Sequence, residues 1–125
     1  MKLEKILVIE DDMIIQLFIN RSLKNAGFEI VGEGKSCAQA LELVATTNPD
    51  IILMDIGIAG DKDGIETAEI INKDYDIPII FMTGNSDNTT TERAKATNPI
   101  DILLKPIDEK RLQRTLLNLK NNEDK

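Results

Sequence analysis

The sequence predicts an α/β fold in which helices cover both faces of a parallel sheet. Three observations support this: short apolar runs recur along the chain, an amphipathic segment follows each run, and turn residues separate the two. Apolar runs without alternation are typical of strands buried on both faces. Five repeats of strand and helix indicate parallel strands joined by crossovers. A chain of 125 residues has the length of one average domain, so we expect residues 1–125 to form a single domain.

The predicted strands are the apolar runs of the chain. They cover Lys5–Ile9, Phe28–Val31, Ile51–Met54, Ile77–Met82 and Ile100–Leu104. Pro78 must lie near the start of its strand, because proline cannot donate to the sheet ladder. A loop rich in Gly and Asp, residues 57–64, follows the third strand.

The predicted helices begin at polar caps. Asp12 caps the first helix, and Gly27 ends it at a position that tolerates a left-handed backbone. The apolar stripe of this helix is expected to consist of Ile14, Ile15, Phe18, Ile19 and Leu23. The other helices are expected over Ala38–Val44 after Ser36, over Ile65–Ile71, from a cap at Ser86 or Asp87 to Ala96, and in a final segment with Leu112, Leu116 and Leu119 in register. Residues 121–125 are expected to be frayed.

Composition argues against several classes of function. The chain has no His and only one Cys, Cys37, so it lacks the usual zinc ligands, His-based proton transfer and an internal disulfide. We interpret Cys37 as a half-buried helix residue, which fits a reducing cytoplasm. No apolar run approaches the roughly 20 residues of a membrane span. The net charge of -7 disfavours a nucleic-acid surface and suits a cation or a basic protein face.

Polar residues follow four of the five predicted strands. Beyond the carboxyl ends of the first, third, fourth and fifth strands come, in turn, Glu10-Asp11-Asp12, Asp55, Thr83-Gly84 and Lys105. In open α/β sheets the ligand site lies beyond these strand ends. We therefore expect the acidic groups, the hydroxyl and the amine to converge on one edge of the sheet.

These residue types favour phosphoryl transfer assisted by a hard cation. Facing carboxylates repel unless a cation lies among them, and oxygen-only ligands select Mg²⁺, or Mn²⁺ in its place, over Zn²⁺. An oxygen of Asp55 would remain free to attack phosphorus and form an aspartyl phosphate. Lys105 and the cation would balance charge on the phosphoryl oxygens, and Thr83 would donate a hydrogen bond to the same group.

Five segments carry these residues: Ile6–Asp12, Pro49–Ile56, Asp63–Glu66, Ile79–Gly84 and Ile102–Pro106. In this order and spacing they resemble the receiver domain of response regulators, the CheY-like superfamily of two-component signal transduction. Each segment alone is a weak motif, whereas the whole set is specific and covers nearly the entire chain. The resemblance implies a flavodoxin-like fold: a five-stranded parallel sheet of order 2-1-3-4-5 flanked by five helices.

The resemblance also implies a role for each residue at the strand ends. It makes Asp55 the phosphoacceptor, gives Mg²⁺ to Glu10, Asp11, Asp55 and the Gly57 carbonyl, and gives phosphoryl contacts to Thr83 and Lys105. It further implies a cis bond between Lys105 and Pro106. Which two of the three consecutive acids face the metal is a judgement of spacing. We favour Glu10 and Asp11, with Asp12 as the helix cap.

The implied function is a switch in a phosphorelay. A sensor histidine kinase or a histidine phosphotransfer protein would supply the phosphoryl group, and its helix is expected to dock near Ile14 and Ile15. The domain would promote its own phosphorylation and also its own dephosphorylation, which would be slow. It would therefore be a signalling switch and not an enzyme. The face formed by the fourth helix, fifth strand and fifth helix would then change, and could join monomers into a weak dimer. We expect a cytoplasmic protein with an effector that the sequence does not identify, and with no direct contact to nucleic acid or membrane.

The chain departs from the family pattern at Ile102, three residues before Lys105. The family often has an aromatic residue there, which swings inward on activation. An aliphatic side chain can still pack in two ways, so this departure concerns the switch position and the mode of output, not phosphorylation. Pro99 is a second departure, in a loop that is usually rich in Gly or Ala.

Other functions fit the residues less well. Gly34-Lys35-Ser36 lacks the earlier glycine of a nucleotide phosphate loop, since that position is Glu29. A calcium loop around residues 61–64 would place its first ligand at Ala59, which has no side-chain oxygen. Phosphatases of the haloacid-dehalogenase type need a second acid at the position of Gly57. The remaining alternative is a receiver-like docking module that is never phosphorylated, against which the complete set of site residues argues.

Overall fold

The computed structural model describes residues 4–123, in which five strands alternate with five helices. The strands are β1 (Lys5–Ile9), β2 (Glu29–Gly34), β3 (Ile51–Asp55), β4 (Ile79–Thr83) and β5 (Asp101–Leu104). The helices are α1 (Met13–Asn25), α2 (Cys37–Thr47), α3 (Gly64–Asp74), α4 (Asn88–Lys95) and α5 (Glu109–Glu123). All strand pairings are parallel, and the order is β2-β1-β3-β4-β5. The predicted fold class and strand order are confirmed.

The central strands are apolar throughout because both of their faces are covered. Every residue of β3 and of β4 is buried. In β1, Ile6 and Val8 join a core cluster with residues of α1 and α5, whereas Leu7 and Ile9 join a second cluster with residues of α2 and α3. Successive side chains of a strand point to opposite faces, so helices on both sides require apolar residues at every position.

The predicted apolar stripe of α1 was only partly right. Ile19 and Leu23 are fully buried, but Ile14 is 79 % exposed and Phe18 is 39 % exposed. Gln16 is buried instead, at 7 % exposure. Each residue of a helix is rotated by about 100° from the one before it, so the positions of Ile14 and Phe18 fall outside the arc that faces the sheet. The tertiary contacts, not the hydrophobicity, select the buried face.

Several element boundaries differ from the prediction. β2 begins one residue later than expected and continues to Gly34, and α2 runs to Thr47, where Asn48 ends it in a left-handed conformation with φ of 49°. α5 continues to Glu123, so residues 121–123 are helical and the expectation of fraying was wrong there. Residues 124–125 lie outside the described residues.

Local geometry at the predicted turns and caps is as expected. Asp12, Ser36 and Asp87 cap α1, α2 and α4 with their side chains. Gly27 has φ of 87°, and the Lys105–Pro106 bond is cis. Cys37 is half-buried at the start of α2. Among the described residues, no helix combines the length and apolar character that crossing a membrane requires.

Candidate functional site

The polar residues at the strand ends meet at the carboxyl edge of the sheet. Asp55 and Thr83 are the last residues of β3 and β4, and Glu10 and Lys105 directly follow β1 and β5. A cleft of about 400 Å³ lies between them. Its lining includes Asp11, Asp55, Gly57, Thr83 and Lys105. Glu10 is buried directly beside this cleft, in contact with Lys105. The sheet therefore brings together residues as far apart in the sequence as Glu10 and Lys105.

Lys105 connects the two buried carboxylates of the site. Its Nζ lies 2.7 Å from Oε1 of Glu10 and 3.2 Å from Oδ1 of Asp55. Glu10 is fully buried and Asp55 is 4 % exposed. Oδ1 of Asp55 also accepts a hydrogen bond from the Gly57 N–H at 3.1 Å, so the contacts with Lys105 and Gly57 both fall on this oxygen and not on Oδ2.

The buried carboxyl of Glu10 is electrostatically strained. Its pKa is raised to about 7, mainly by burial and also by the hydrogen bond with the neighbouring Asp55 side chain, while the hydrogen bonds from Lys105 and the Asp12 N–H lower it. For Lys105, burial alone would lower the pKa of the ammonium, but the hydrogen bond to Glu10 and the charge of Asp55 together raise it. One ammonium thus neutralises only part of the negative charge at this site.

The donor set fits a hard divalent cation. Carboxylate oxygens of Glu10, Asp11 and Asp55 lie within 4.8 Å of one another, and none of the three residues is a nitrogen or sulfur ligand. Asp11 is exposed, whereas Glu10 and Asp55 are buried, so an ion could enter from the solvent side. Asp12 also lines the cleft, but its Oδ1 caps α1 by accepting hydrogen bonds from the N–H groups of Ile14 and Ile15.

The hydroxyl of Thr83 lines the cleft but is bonded to its own loop. Oγ1 donates to the carbonyl oxygen of Asn85 and accepts from the N–H of Asn85, both at 3.0 Å. A hydroxyl has one proton, so Thr83 cannot keep the bond to Asn85 and also donate to a group on Asp55. The position of Thr83 agrees with the sequence prediction, while its bonds to Asn85 were not foreseen.

The loop after β3 is anchored on the main chain directly after Asp55. The Gly64 N–H donates to the Ile56 carbonyl oxygen at 2.8 Å. A Cβ at Gly64 would collide with the carbonyl oxygen of Asp55, so only glycine allows this approach. Asp63 caps α3 and forms a reciprocal capping box with Glu66. The motif Asp-Gly-Ile-Glu therefore fixes the start of α3 against the end of β3.

Ile102 lies on the other side of β4, next to a groove of about 540 Å³. It is half-buried against the second core cluster. The groove continues to Leu104, which is 51 % exposed, and to Thr83 at the rim of the cleft. The groove thus runs along the face of α4 and β5, with the aliphatic side chain of Ile102 in its lining.

Two positions that contact the site residues were missed from the sequence alone. Asn85 holds the Thr83 hydroxyl, and Gly64 allows α3 to approach Asp55. Asn, Asp and Ser clustered at residues 85–87 are typical of local side-chain-to-backbone bonds, which could have indicated the first. The second depends on a distance across the fold that no local pattern contains.

Comparison with known proteins agrees with this architecture. The family model of the response regulator receiver domain matches residues 6–117. The transcriptional regulatory protein PdtaR of Mycobacterium tuberculosis is 32% identical over 82% of this chain and 49% of its own length. The DNA-binding response regulator MtrA of Mycolicibacterium smegmatis is 29% identical over 97% of this chain and 53% of its own. The chain thus spans about half the length of these curated relatives.

A solved structure shows the same likeness in three dimensions. The signal receiver domain of a modulated diguanylate cyclase from Desulfovibrio desulfuricans has a TM-score of 0.88 and 30% sequence identity, and covers 98% of this chain and 96% of its own. The sheet order, the acidic edge and the family match agree with one another. This chain belongs to the response regulator receiver domain family.

Proposed function

We propose that this receiver domain accepts a phosphoryl group on Asp55 from a phosphohistidine donor and signals by a change of its surface. The observation that carries the proposal is the position of the Asp55 carboxylate and its contacts. It is buried at the floor of an open cleft, with one oxygen held by Lys105 and Gly57 and the other outside those contacts. Such a carboxylate can act as an oriented nucleophile.

In the transfer step, Oδ2 of Asp55 attacks phosphorus in line with the P–N bond of the donor. The new O–P bond forms as the P–N bond breaks, and the electron pair of that bond goes to the nitrogen of the donor ring. The ring leaves as neutral imidazole when its other nitrogen carries a proton. Lys105, already 3.2 Å from Oδ1, stabilises negative charge on the phosphoryl oxygens.

Mg²⁺, or Mn²⁺, fits the oxygen ligands of Glu10, Asp11 and Asp55, with the Gly57 carbonyl as the proposed fourth protein ligand. When bound, the ion would neutralise charge on the carboxylates and on the phosphoryl oxygens. The charge balance supports this assignment, because the one ammonium of Lys105 faces the two buried carboxyls of Glu10 and Asp55. Lys105 would be shared between that pair and the incoming group.

After transfer, Thr83 and Lys105 contact the new phosphoryl oxygens. Thr83 then gives up the hydrogen bond that it donates to Asn85. This exchange favours one of two packings of α4, β5 and α5, the face along which the open groove and the exposed Leu104 lie. A phosphoryl group that contacts only one packing shifts the population towards it.

The donor would approach over α1. Ile14 and Phe18 are exposed and, with Ile107 and Pro106, line an apolar depression of about 490 Å³ beside Lys105. A helix of a histidine kinase or phosphotransfer protein that packs there would bring its phosphohistidine to the cleft. The face is apolar, so burial of these side chains would supply much of the affinity.

The proposal is tested by intact-mass analysis after incubation with acetyl phosphate or phosphoramidate, with and without Mg²⁺. We expect a gain of one phosphoryl group that depends on Mg²⁺ and is lost in Asp55→Asn. The matched control is Asp74→Asn, which changes an exposed aspartate at the end of α3 and should be phosphorylated like the wild type.

Absence of any gain in the wild type would contradict the proposal and favour a docking module whose surface acts unmodified. Retention of the gain in Asp55→Asn would assign the acceptor to another residue.

A further inference from the structure

We propose that Asn85 is a positioning residue that couples the hydroxyl of Thr83 to the first turn of α4. This inference rests on the proposed function, since the coupling acts only when a group on Asp55 draws the Thr83 proton away. Its basis is a continuous series of hydrogen bonds from Thr83 through Asn85 and Asp87 to Thr90. We refer to these four residues as the loop relay.

The first link of the loop relay joins Thr83 and Asn85 twice. Oγ1 of Thr83 donates to the main-chain oxygen of Asn85 and accepts from its N–H. Thr83 is buried at 5 % exposure at the end of β4, whereas Asn85 is exposed. A buried hydroxyl therefore holds the main chain of an exposed loop residue.

The second link joins the side chains of Asn85 and Asp87. Nδ2 of Asn85 donates to Oδ2 of Asp87 at 2.7 Å, and Oδ1 of Asn85 accepts from the Asp87 N–H at 2.9 Å. An amide offers both a donor and an acceptor, and here both are used on the same neighbour. Asn85 thus determines where the carboxylate of Asp87 lies.

The third link is the cap of α4. Oδ1 of Asp87 accepts from the Thr90 N–H at 2.7 Å, and Oδ2 accepts from the Thr90 hydroxyl at 3.3 Å. α4 has one buried residue, Ala94, so packing contributes little to holding its first turn. The position of that turn therefore depends on Asp87, and through it on Asn85.

The consequence is a discrete exchange rather than a gradual shift. When Thr83 donates to a phosphoryl oxygen, its bond to the Asn85 carbonyl is lost, because one proton serves one acceptor. Asn85 then keeps only the bond that its N–H donates to Oγ1 of Thr83, so its attachment to β4 is weakened, and the cap on α4 is weakened with it. Through the loop relay, a phosphoryl group on Asp55 would change the face formed by α4, β5 and α5. This change does not require a side chain larger than that of Ile102.

The experiment monitors backbone amides by NMR and hydrogen exchange, with Mg²⁺ and beryllofluoride as a stable mimic of the phosphoryl group. In the wild type we expect new chemical shifts at Gly57, which reports occupancy of the site, and at Thr90 and Thr91. We also expect these two α4 amides to exchange about fivefold faster with the mimic, the size expected for loss of a cap.

Three variants separate the links. Asn85→Ala keeps the main-chain bonds to Thr83 and removes both side-chain bonds to Asp87, so Gly57 should respond while the response at Thr90 and Thr91 falls by at least half. Asp87→Ala breaks the same relay at its next residue and should give the same result. Ser86→Ala is the matched control, since it changes the intervening exposed residue, which has no hydrogen bond within residues 4–123, and its response should equal that of the wild type.

A purely structural role of Asn85 would alter the α4 amides without the mimic and leave their response to it unchanged, which would overturn the inference. Equal loss in Ser86→Ala would overturn it as well, because the loop and not the relay would then matter. If Gly57 does not respond in the wild type, the proposed function itself fails. A response at Gly57 without one at Thr90 and Thr91 would instead reject only the coupling.

Discussion

Helices α3 and α4 come after neighbouring strands, and each begins with an aspartate whose side chain accepts a hydrogen bond from the first turn. Beyond the caps they differ. In α3, five of 11 residues are buried, and Ile65 and Ile71 belong to the second core cluster. In α4, one of 8 residues is buried, and most of the helix consists of polar side chains. The two helices thus begin with the same kind of cap, but α3 is held in place by packing and α4 mainly by polar bonds.

This difference indicates how the two helices divide the roles within a receiver domain. α3 starts against the backbone of Asp55 and is fixed there by Gly64 and the core. α4 starts after Thr83 and has little apolar area to lose when it moves. Segments with few buried apolar contacts have the lowest local stability, so α4 is the helix of the two that can shift at the smaller cost.

One direct ion pair links the two helices. Arg93 in α4 lies 3.0 Å from Asp63, the cap of α3. The hydrogen bond to Asp63 raises the pKa of the Arg93 guanidinium, which stays charged in any case. Both side chains are partly exposed, so this contact adjusts the position of α4 rather than fixing it.

The largest effect is expected when a methyl group is placed at the start of α3. Gly64→Ala introduces a Cβ that meets the carbonyl oxygen of Asp55, and overpacking of this kind costs about 1–3 kcal/mol or more. Gly84→Ala is the control before α4, because a Cβ there meets no atom within 4 Å. It should change the free energy of unfolding by less than about 0.5 kcal/mol. Urea denaturation of both variants measures this, and equal costs would contradict the comparison.

Removal of the caps should act globally in α3 and locally in α4. Asp63→Ala loses the capping box and the ion pair, and should lower the free energy of unfolding by about 1–2 kcal/mol. Asp87→Ala should mainly increase hydrogen exchange of the first α4 amides, because α4 can open without exposing the core. Global denaturation and residue-level exchange should be measured on the same samples. A larger global loss for Asp87→Ala would show that α4 is part of the cooperative core.

A smaller effect is expected from the ion pair between the helices. Arg93→Ala should destabilise the protein by about 0–1 kcal/mol, and the loss should shrink at high salt because the pair is partly exposed. A double-mutant cycle with Asp63→Asn isolates the pair from the cap, since Asn can still cap α3. A coupling energy that does not depend on salt would argue against an ionic link.

The smallest effect concerns pH. The hydrogen bond from the Thr90 N–H lowers the pKa of Asp87 below its ordinary value of 3.8. A carboxyl with a lowered pKa in the folded state contributes stability above 3.8 that is lost as pH falls through the folded value. The Asp87 carboxyl should therefore titrate below 3.8 when monitored by carbon NMR, and the shift of the Thr90 amide should show the same curve. A midpoint at or above 3.8 would mean that the cap is absent in solution.

Much of the candidate site could be predicted because the relevant information is local. Asp55, Thr83 and Lys105 each come after an apolar run, and parallel strands bring their carboxyl ends together whatever the loop lengths are. The caps at Asp12 and Asp87 are also local, since they depend on residues within three positions. The α1 stripe was harder, because Ile14 and Phe18 are as apolar as the buried Ile19. Hydrophobicity alone did not predict which face of α1 would pack against the sheet.

The sequence by itself determined the order of the elements, the fold class and the residues at one edge of the sheet, because periodicity, caps and turn residues act over a few positions. Only the tertiary structure decided the contact of Gly64 with Asp55, the ion pair of Lys105 with Glu10, and that of Arg93 with Asp63. It also left α4 with one buried side chain. These features depend on distances between segments far apart in the chain, which become defined only when the sheet has assembled.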